Sequence, residues 1–183
     1  SHGGDLRWGG VGLSTVMGAV LAGASRIVVV DRNPDKDAMC RSFGATDVVI
    51  TDDLTDAVSA IREATDGRGV DYVFDAVGLA AIESVLLDCL APAGTAVLVG
   101  IPSTGTAFEV DAAEFIRREK VLTGSIFGSA DTARDFVDYA QRYLDGRLPI
   151  DRLVTERYRL DEINEACDAM LTGGVGRGVI VFD

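Results

Sequence analysis

Five short stretches of the chain are almost continuously apolar: RIVVV at 26–30, DVVI at 47–50, VDYVFDAV at 70–77, TAVLVGI at 95–101 and VLTGSIF at 121–127. Short apolar runs without polar alternation predict strands buried on both faces of a parallel sheet, since a strand with one wet face alternates. Between them, Gly12 to Ala22, Pro34 to Phe43, Leu54 to Ala64 and Ala80 to Leu90 predict helices. In the third of these, Ala57, Val58, Ile61 and Ala64 recur at helical spacing. Asn33-Pro34 fits an N-cap followed by proline at the first helical position. Gly44, Gly67 and Gly94 are placed as stops or turns. Strand and helix alternate about every twenty to twenty-five residues, which predicts repeated βαβ units and a doubly wound α/β fold.

The pattern changes after Gly128. A helix predicted over Thr132 to Leu144 is followed by LVTERYRL, a second helix over Asp161 to Leu171, GGVGRG and the closing strand VIVFD. This tail does not read as a further βαβ unit. It reads as an element that packs elsewhere.

Composition narrows what such a fold can do. The 183 residues suit one ordinary domain, or one domain with an appendage. No apolar run approaches the ~20 residues that span a bilayer, and no signal-peptide pattern opens the chain, so cytoplasmic work is expected. The net charge of −12 argues against nucleic acid or an anionic membrane as partner, because both need a cationic face. An anionic ligand must then be held by backbone N–H groups and a few placed cations. Cys40, Cys89 and Cys167 are dispersed, with none of the close spacing that a metal site uses. The one histidine, His2, lies in Ser1 to Gly3, which reads as an expression remnant. No catalytic residue and no metal ligand is therefore expected from this chain.

Gly9, Gly10 and Gly12 precede the first helical run. A glycine turn at a helix N-terminus offers unpaired N–H donors and roughly half a positive charge, to which a pyrophosphate can come close. Asp31 ends the apolar run that follows that helix, where a carboxylate accepts hydrogen bonds from an adenosine ribose. The competing reading is a surface turn and an incidental aspartate.

With these residues on the page, the chain resembles the medium-chain, zinc-dependent alcohol dehydrogenases. GGVGLSTVMGAVLAGASRIVVVDRNPDK, GATDVV, GRGVDYVFDAVG, VLVGIP, GSIFGS and DEINEACDAMLTGGVGRGVIV carry the likeness, in order, from Gly9 to the C-terminus. The resemblance implies a Rossmann domain over 4–128 that binds NAD, and a tail over 129–183 that belongs in part to the catalytic domain. It places Gly9, Gly10, Val11 and Gly12 on the pyrophosphate, Asp31 and Lys36 on the ribose, and Arg32 and Val77 beside the adenine. Val99, Gly100 and Ile101 match a segment whose backbone meets the nicotinamide carboxamide, and Phe127 a position near the nicotinamide end. Arg177 matches an arginine on the pyrophosphate. Arg32 also reads as a solvated surface cation, Val77 and Val99 as core residues of any such sheet, and Arg177 as a tail charge.

Two departures from the family pattern accompany the likeness. Arg7 stands where the family's turn begins with glycine, and GDLRW is shorter than the usual first strand, which therefore reads as truncated. The family's catalytic N-terminal domain, which carries the ligands of its catalytic zinc, has no counterpart in this chain. The resemblance implies the coenzyme portion of an enzyme that passes hydride between an alcohol or aldehyde and NAD, with the chain inactive by itself. It also implies a homodimer paired through the edge strand 121–127. The alternatives are a zinc-free medium-chain reductase of the quinone oxidoreductase type and a stand-alone nucleotide-binding module.

Overall fold

The computed structural model describes residues 9–172 and 176–182. In chain order the helices are α1 (Gly10–Leu21), α2 (Asp37–Ser42), α3 (Leu54–Ala64), α4 (Ala80–Cys89), α5 (Ala112–Arg117), α6 (Thr132–Leu144) and α7 (Ile163–Thr172). The strands are β1 (Val28–Asp31), β2 (Asp47–Ile50), β3 (Val70–Asp75), β4 (Leu90–Leu98), β5 (Val121–Gly124), β6 (Val154–Arg159) and β7 (Arg177–Val181). Every strand pairing among the described residues is parallel: β1 with β2, β3 with β4, β4 with β5, and β6 with β7. Helices provide the connections that parallel strands require, which makes the fold α/β and Rossmann-like. The first strand expected at residues 4–8 lies outside the described residues.

The chain forms two compact units. The described part of the first comprises Val28–Pro34 and Asp47–Ala130. Its core is Leu86, Leu90 and Ala96, packed by Val70, Val73, Ile82, Leu87, Leu98 and Leu122. Burying a leucine of this kind contributes about 1.5–3 kcal/mol, so the sheet β3-β4-β5 is held to α4 mainly by this cluster. α3 starts where Asp53 accepts hydrogen bonds from the N–H groups of Thr55 and Asp56 at 2.7 and 3.2 Å. Its Ala57 and Ile61 are buried, as the spacing predicts.

Lys120, almost fully buried, donates to the carbonyl of Leu87 at 2.7 Å. The bond joins the N–H of Leu90 on the same oxygen in the last turn of α4 and ties that helix to the residue before β5.

The second unit has as its described part residues 9–27, Asp35–Thr46, 131–172 and 176–182. α1 buries Leu13, Val16 and Met17 and packs on the helical turn Ile150–Leu153. The guanidinium of Arg152 lies 5.0 Å from the ring centre of Phe43, a cation–π contact.

The tail differs from expectation. LVTERYRL contributes β6, which pairs in parallel with β7 across α7, so the tail contains a βαβ unit after all. The strand is polar because most of its side chains are exposed, with Val154 and Tyr158 the partly buried ones. Three other differences are local. α5 carries no apolar repeat, and it begins at Asp111, whose side chain accepts from Ala113 and Glu114. Gly94 lies within β4, where the register against β3 jumps from Val70–Leu90 to Tyr72–Thr95; it accommodates an irregularity and does not end an element. Burial on both faces also fails for β3: Val73 and Asp75 are covered on the α4 side, while Tyr72 is 65% exposed. Its ring stacks on Phe74 with centroids 6.5 Å apart.

Candidate functional site

In the first unit, the candidate residues gather at the C-terminal ends of parallel strands, the usual binding edge of such sheets. Asp31 is the last residue of β1 and only 3% exposed. Its Oδ1 accepts the N–H of Asn33 at 2.8 Å, which folds the chain back over the strand end. Arg32, next to it, is exposed.

β3 ends at Asp75, earlier than its apolar run suggested, because Asp75 turns the chain. Its carboxylate accepts the N–H of Val77 at 2.8 Å and that of Gly78 at 3.0 and 3.2 Å. Its backbone oxygen accepts the N–H groups of Val99 and Gly100, at 2.8 and 2.9 Å. One residue thereby holds the turn after β3 and the turn after β4.

The two turns touch backbone to backbone. A Cβ on Gly100 would overlap the main chain of Val77 and Gly78. One on Gly78, whose φ is +81°, would stand 2.8 Å from the carbonyl carbons of Gly100 and Ile101. Only glycine permits this approach. Val77, Val99 and Gly100 are half-buried, whereas Ile101 is 77% and Phe127 88% exposed. Phe127 is not on a strand: β5 stops at Gly124, and Phe127 opens a helical turn at φ +50°. The structure therefore collects Val77, Val99, Gly100 and Ile101 into one seam and leaves Phe127 on a separate turn.

Sequence reasoning missed Asp75, Gly78 and Glu83. The first two lie in the motif FDAVG, but their part in the seam depends on a contact with a distant segment. Glu83, in the first turn of α4, is 3% exposed. Burial pushes its carboxyl up from the ordinary range, and the Asp75 charge adds to the rise. Elsewhere in the unit, burial raises the Cys89 thiol to about 11, with Asp88 contributing, so it stays protonated and inert at neutral pH.

In the second unit, Gly9 is the N-cap of α1 and supplies no side-chain cap. The N–H groups of the first turn point out of the helix without intrahelical partners. Arg177, first residue of β7, brings its guanidinium against Gly10: a Cβ there would overlap Nε and lie 2.7 Å from Nη2. A glycine helix start and an arginine from near the other end of the chain are thus joined. The pair can hold a diphosphate by backbone donors and a planar cation together. Gly12 is buried and Val11 is 45% exposed. Lys36 ends the helical turn Pro34–Lys36 and is 6% exposed.

Among the described residues no group of three or more His, Cys, Asp or Glu could hold a metal ion. Among the same residues no helix is long and apolar enough to cross a membrane.

The family model "Zinc-binding dehydrogenase" matches residues 10–142. The class-3 alcohol dehydrogenase of Myxine glutinosa is 35% identical over 94% of this chain and 46% of its own length. An alcohol dehydrogenase zinc-binding domain protein from Burkholderia ambifaria, of known crystal structure, superposes with a TM-score of 0.89 at 35% identity, covering 96% of this chain and 46% of that one. A zinc-binding dehydrogenase of Sinorhizobium meliloti, crystallised with NADP, superposes at 0.81 with 25% identity, covering 95% and 51%. The chain spans about half the length of the curated relatives it matches.

Proposed function

The chain belongs to the zinc-binding dehydrogenase family, and on that premise we propose that it is the coenzyme-binding part of an NAD-dependent alcohol dehydrogenase. The observation that carries the reading is the Gly10–Arg177 pair, a cation set on an open helix start in a chain of net charge −12. Gly9, Gly10, Val11 and Gly12 take the pyrophosphate with Arg177. Asp31, with Lys36, takes the ribose hydroxyls, and Arg32 and Val77 flank the adenine. The backbone of Val99, Gly100 and Ile101 meets the nicotinamide carboxamide, whose flat edge suits a glycine-lined seam. Phe127 stands near the nicotinamide end.

The bound coenzyme supplies a hydride acceptor. This chain's residues orient it. The described residues do not fit a zinc ion, so activation of an alcohol or aldehyde falls to a catalytic domain outside this chain. In this reading 4–128 is the coenzyme domain and 129–183 belongs in part to that catalytic domain. The protein works as a homodimer paired through β5, in a cytoplasm that keeps its three cysteines as free thiols.

Titration calorimetry tests the reading. Replacing Arg177 with Gln removes a charge-assisted hydrogen bond of about 1.5–3 kcal/mol, so NAD affinity drops roughly tenfold or more while adenosine affinity holds. Unchanged NAD affinity in that variant refutes the assignment.

A further inference from the structure

Arg177 opens β7 and is exposed, so burial does not hold its guanidinium against Gly10. Its neighbours supply the constraint. A Cβ on Gly176, whose φ is +86°, would overlap the Thr155 side chain and stand 2.8 Å from the carbonyl oxygen of Leu153. One on Gly178 would stand 2.8 Å from the Tyr158 ring. Glycine on both sides of Arg177 thus lets β7 lie close on β6. The register there steps from Val154–Arg177 to Glu156–Gly178, which leaves Thr155 as an extra residue in β6. An irregularity of this kind re-aims a neighbouring side chain.

Gly176 rests on the end of the helical turn Ile150–Leu153, which packs on α1 and buries Leu153. One residue earlier, the guanidinium carbon of Arg152 lies 5.0 Å from the centre of the Phe43 ring. Phe43 is buried and caps the end of α2. The next residue, Gly44 at φ +112°, rests on Val20 of α1, whose side chain a Cβ would overlap. Arg152 therefore ties the base of β6 to a point fixed on the C-terminal half of α1, while Arg177 meets the first turn of the same helix. All of these residues belong to the second unit.

We propose that Arg152 is a positioning residue for the coenzyme: its cation on Phe43 anchors the turn on which Gly176 rests, and so sets Arg177 on the start of α1. This rests on the coenzyme-binding reading given above and extends it to a side chain that acts only through Arg177. An exposed cation–π contact is weak, so the effect on affinity is small, and its dependence on Arg177 is what identifies it.

Calorimetry with NAD and with adenosine reads the single variants and the pair. Arg152→Ala should weaken NAD about two- to fivefold, the loss of one exposed cation–π contact, and leave adenosine affinity unchanged. Arg152→Lys, which keeps a cation for the ring, should recover much of the loss. In an Arg177→Gln background, Arg152→Ala should cost no further NAD affinity, because coupled residues are not additive. The Arg177 side-chain Nε–H signal, followed by NMR without coenzyme, should shift in Arg152→Ala and return toward its place in Arg152→Lys. Unchanged NAD affinity in Arg152→Ala overturns the proposal. So does an equal loss with and without the Arg177 guanidinium, which would make Arg152 a charge acting on the coenzyme by itself. A parallel loss of adenosine affinity overturns it too, since that reports a general loosening of α2. If Arg177→Gln alone leaves NAD affinity unchanged, the coenzyme reading fails instead, and the Arg177 signal still decides whether Arg152 places that side chain.

Discussion

Asp31 is the residue on which coenzyme choice should turn. Its carboxylate accepts hydrogen bonds, and a 2′-phosphate beside it would meet a negative charge. The similar protein of Sinorhizobium meliloti was crystallised with NADP, so the side chain at this position is the one to test for the preference of this chain. Replacing Asp31 with Gly should weaken NAD roughly tenfold, from the loss of about 1.5–3 kcal/mol, and narrow its lead over NADP. Parallel calorimetric titrations with the two coenzymes measure this, and equal affinities in the unaltered protein would defeat the expectation. Asp31 was legible because its signal is local: an acid closing an apolar strand after a glycine turn. Gly10 and Arg177 were legible only through resemblance, since nothing local marks them as neighbours. Asp75, Gly78 and Glu83 were not singled out at all. Their roles arise where two strand ends meet, and neither burial nor a backbone contact across some twenty residues of sequence has a period to read.

Among elements, α3 and α6 match their sequence-based bounds residue for residue. α3 joins a helical apolar spacing to an aspartate cap. β6 escaped because an exposed strand alternates weakly and reads as a polar loop. Two elements invite intervention. Lys120 holds the end of α4 through Leu87, so Lys120→Met should remove a charge-assisted hydrogen bond and cost about 1.5–3 kcal/mol, while the carbonyl keeps the N–H of Leu90. Urea unfolding should show a lower midpoint with an unchanged slope; a midpoint equal to wild type would assign the bond no weight. β5 is the outer strand of β3-β4-β5, with Val121 47% exposed. An apolar edge of this kind favours pairing with another copy. Thr123→Pro should remove a ladder donor and shift a dimer toward monomer or aggregate in sedimentation velocity. A monomeric wild type at high concentration would dispose of the edge-pairing model.

At the scale of the molecule, the chain corresponds to about half of each matched relative. Its described residues contain no metal cluster. A dehydrogenase that polarises an alcohol through zinc needs about three protein ligands on the metal, so the purified chain should bind NAD without stoichiometric zinc and without alcohol-dependent NADH formation. Elemental analysis and absorbance at the NADH band settle this together, and zinc accompanied by turnover would overturn it. α6 fits the same picture: Phe136, Val137 and Leu144 are 64%, 70% and 76% exposed along one stripe of the helix, as expected of a surface built to be covered by further protein.

The gathering of four amides onto Asp75 carries one more consequence, for local unfolding. Val77, Gly78, Val99 and Gly100 give their protons to a single residue, and the glycine contact stops either turn from swinging out alone. Their hydrogen exchange should therefore be cooperative: the two turns are expected to open as one unit, with one free energy, although some twenty residues of chain separate them. Four amides that exchange with different free energies would count against it.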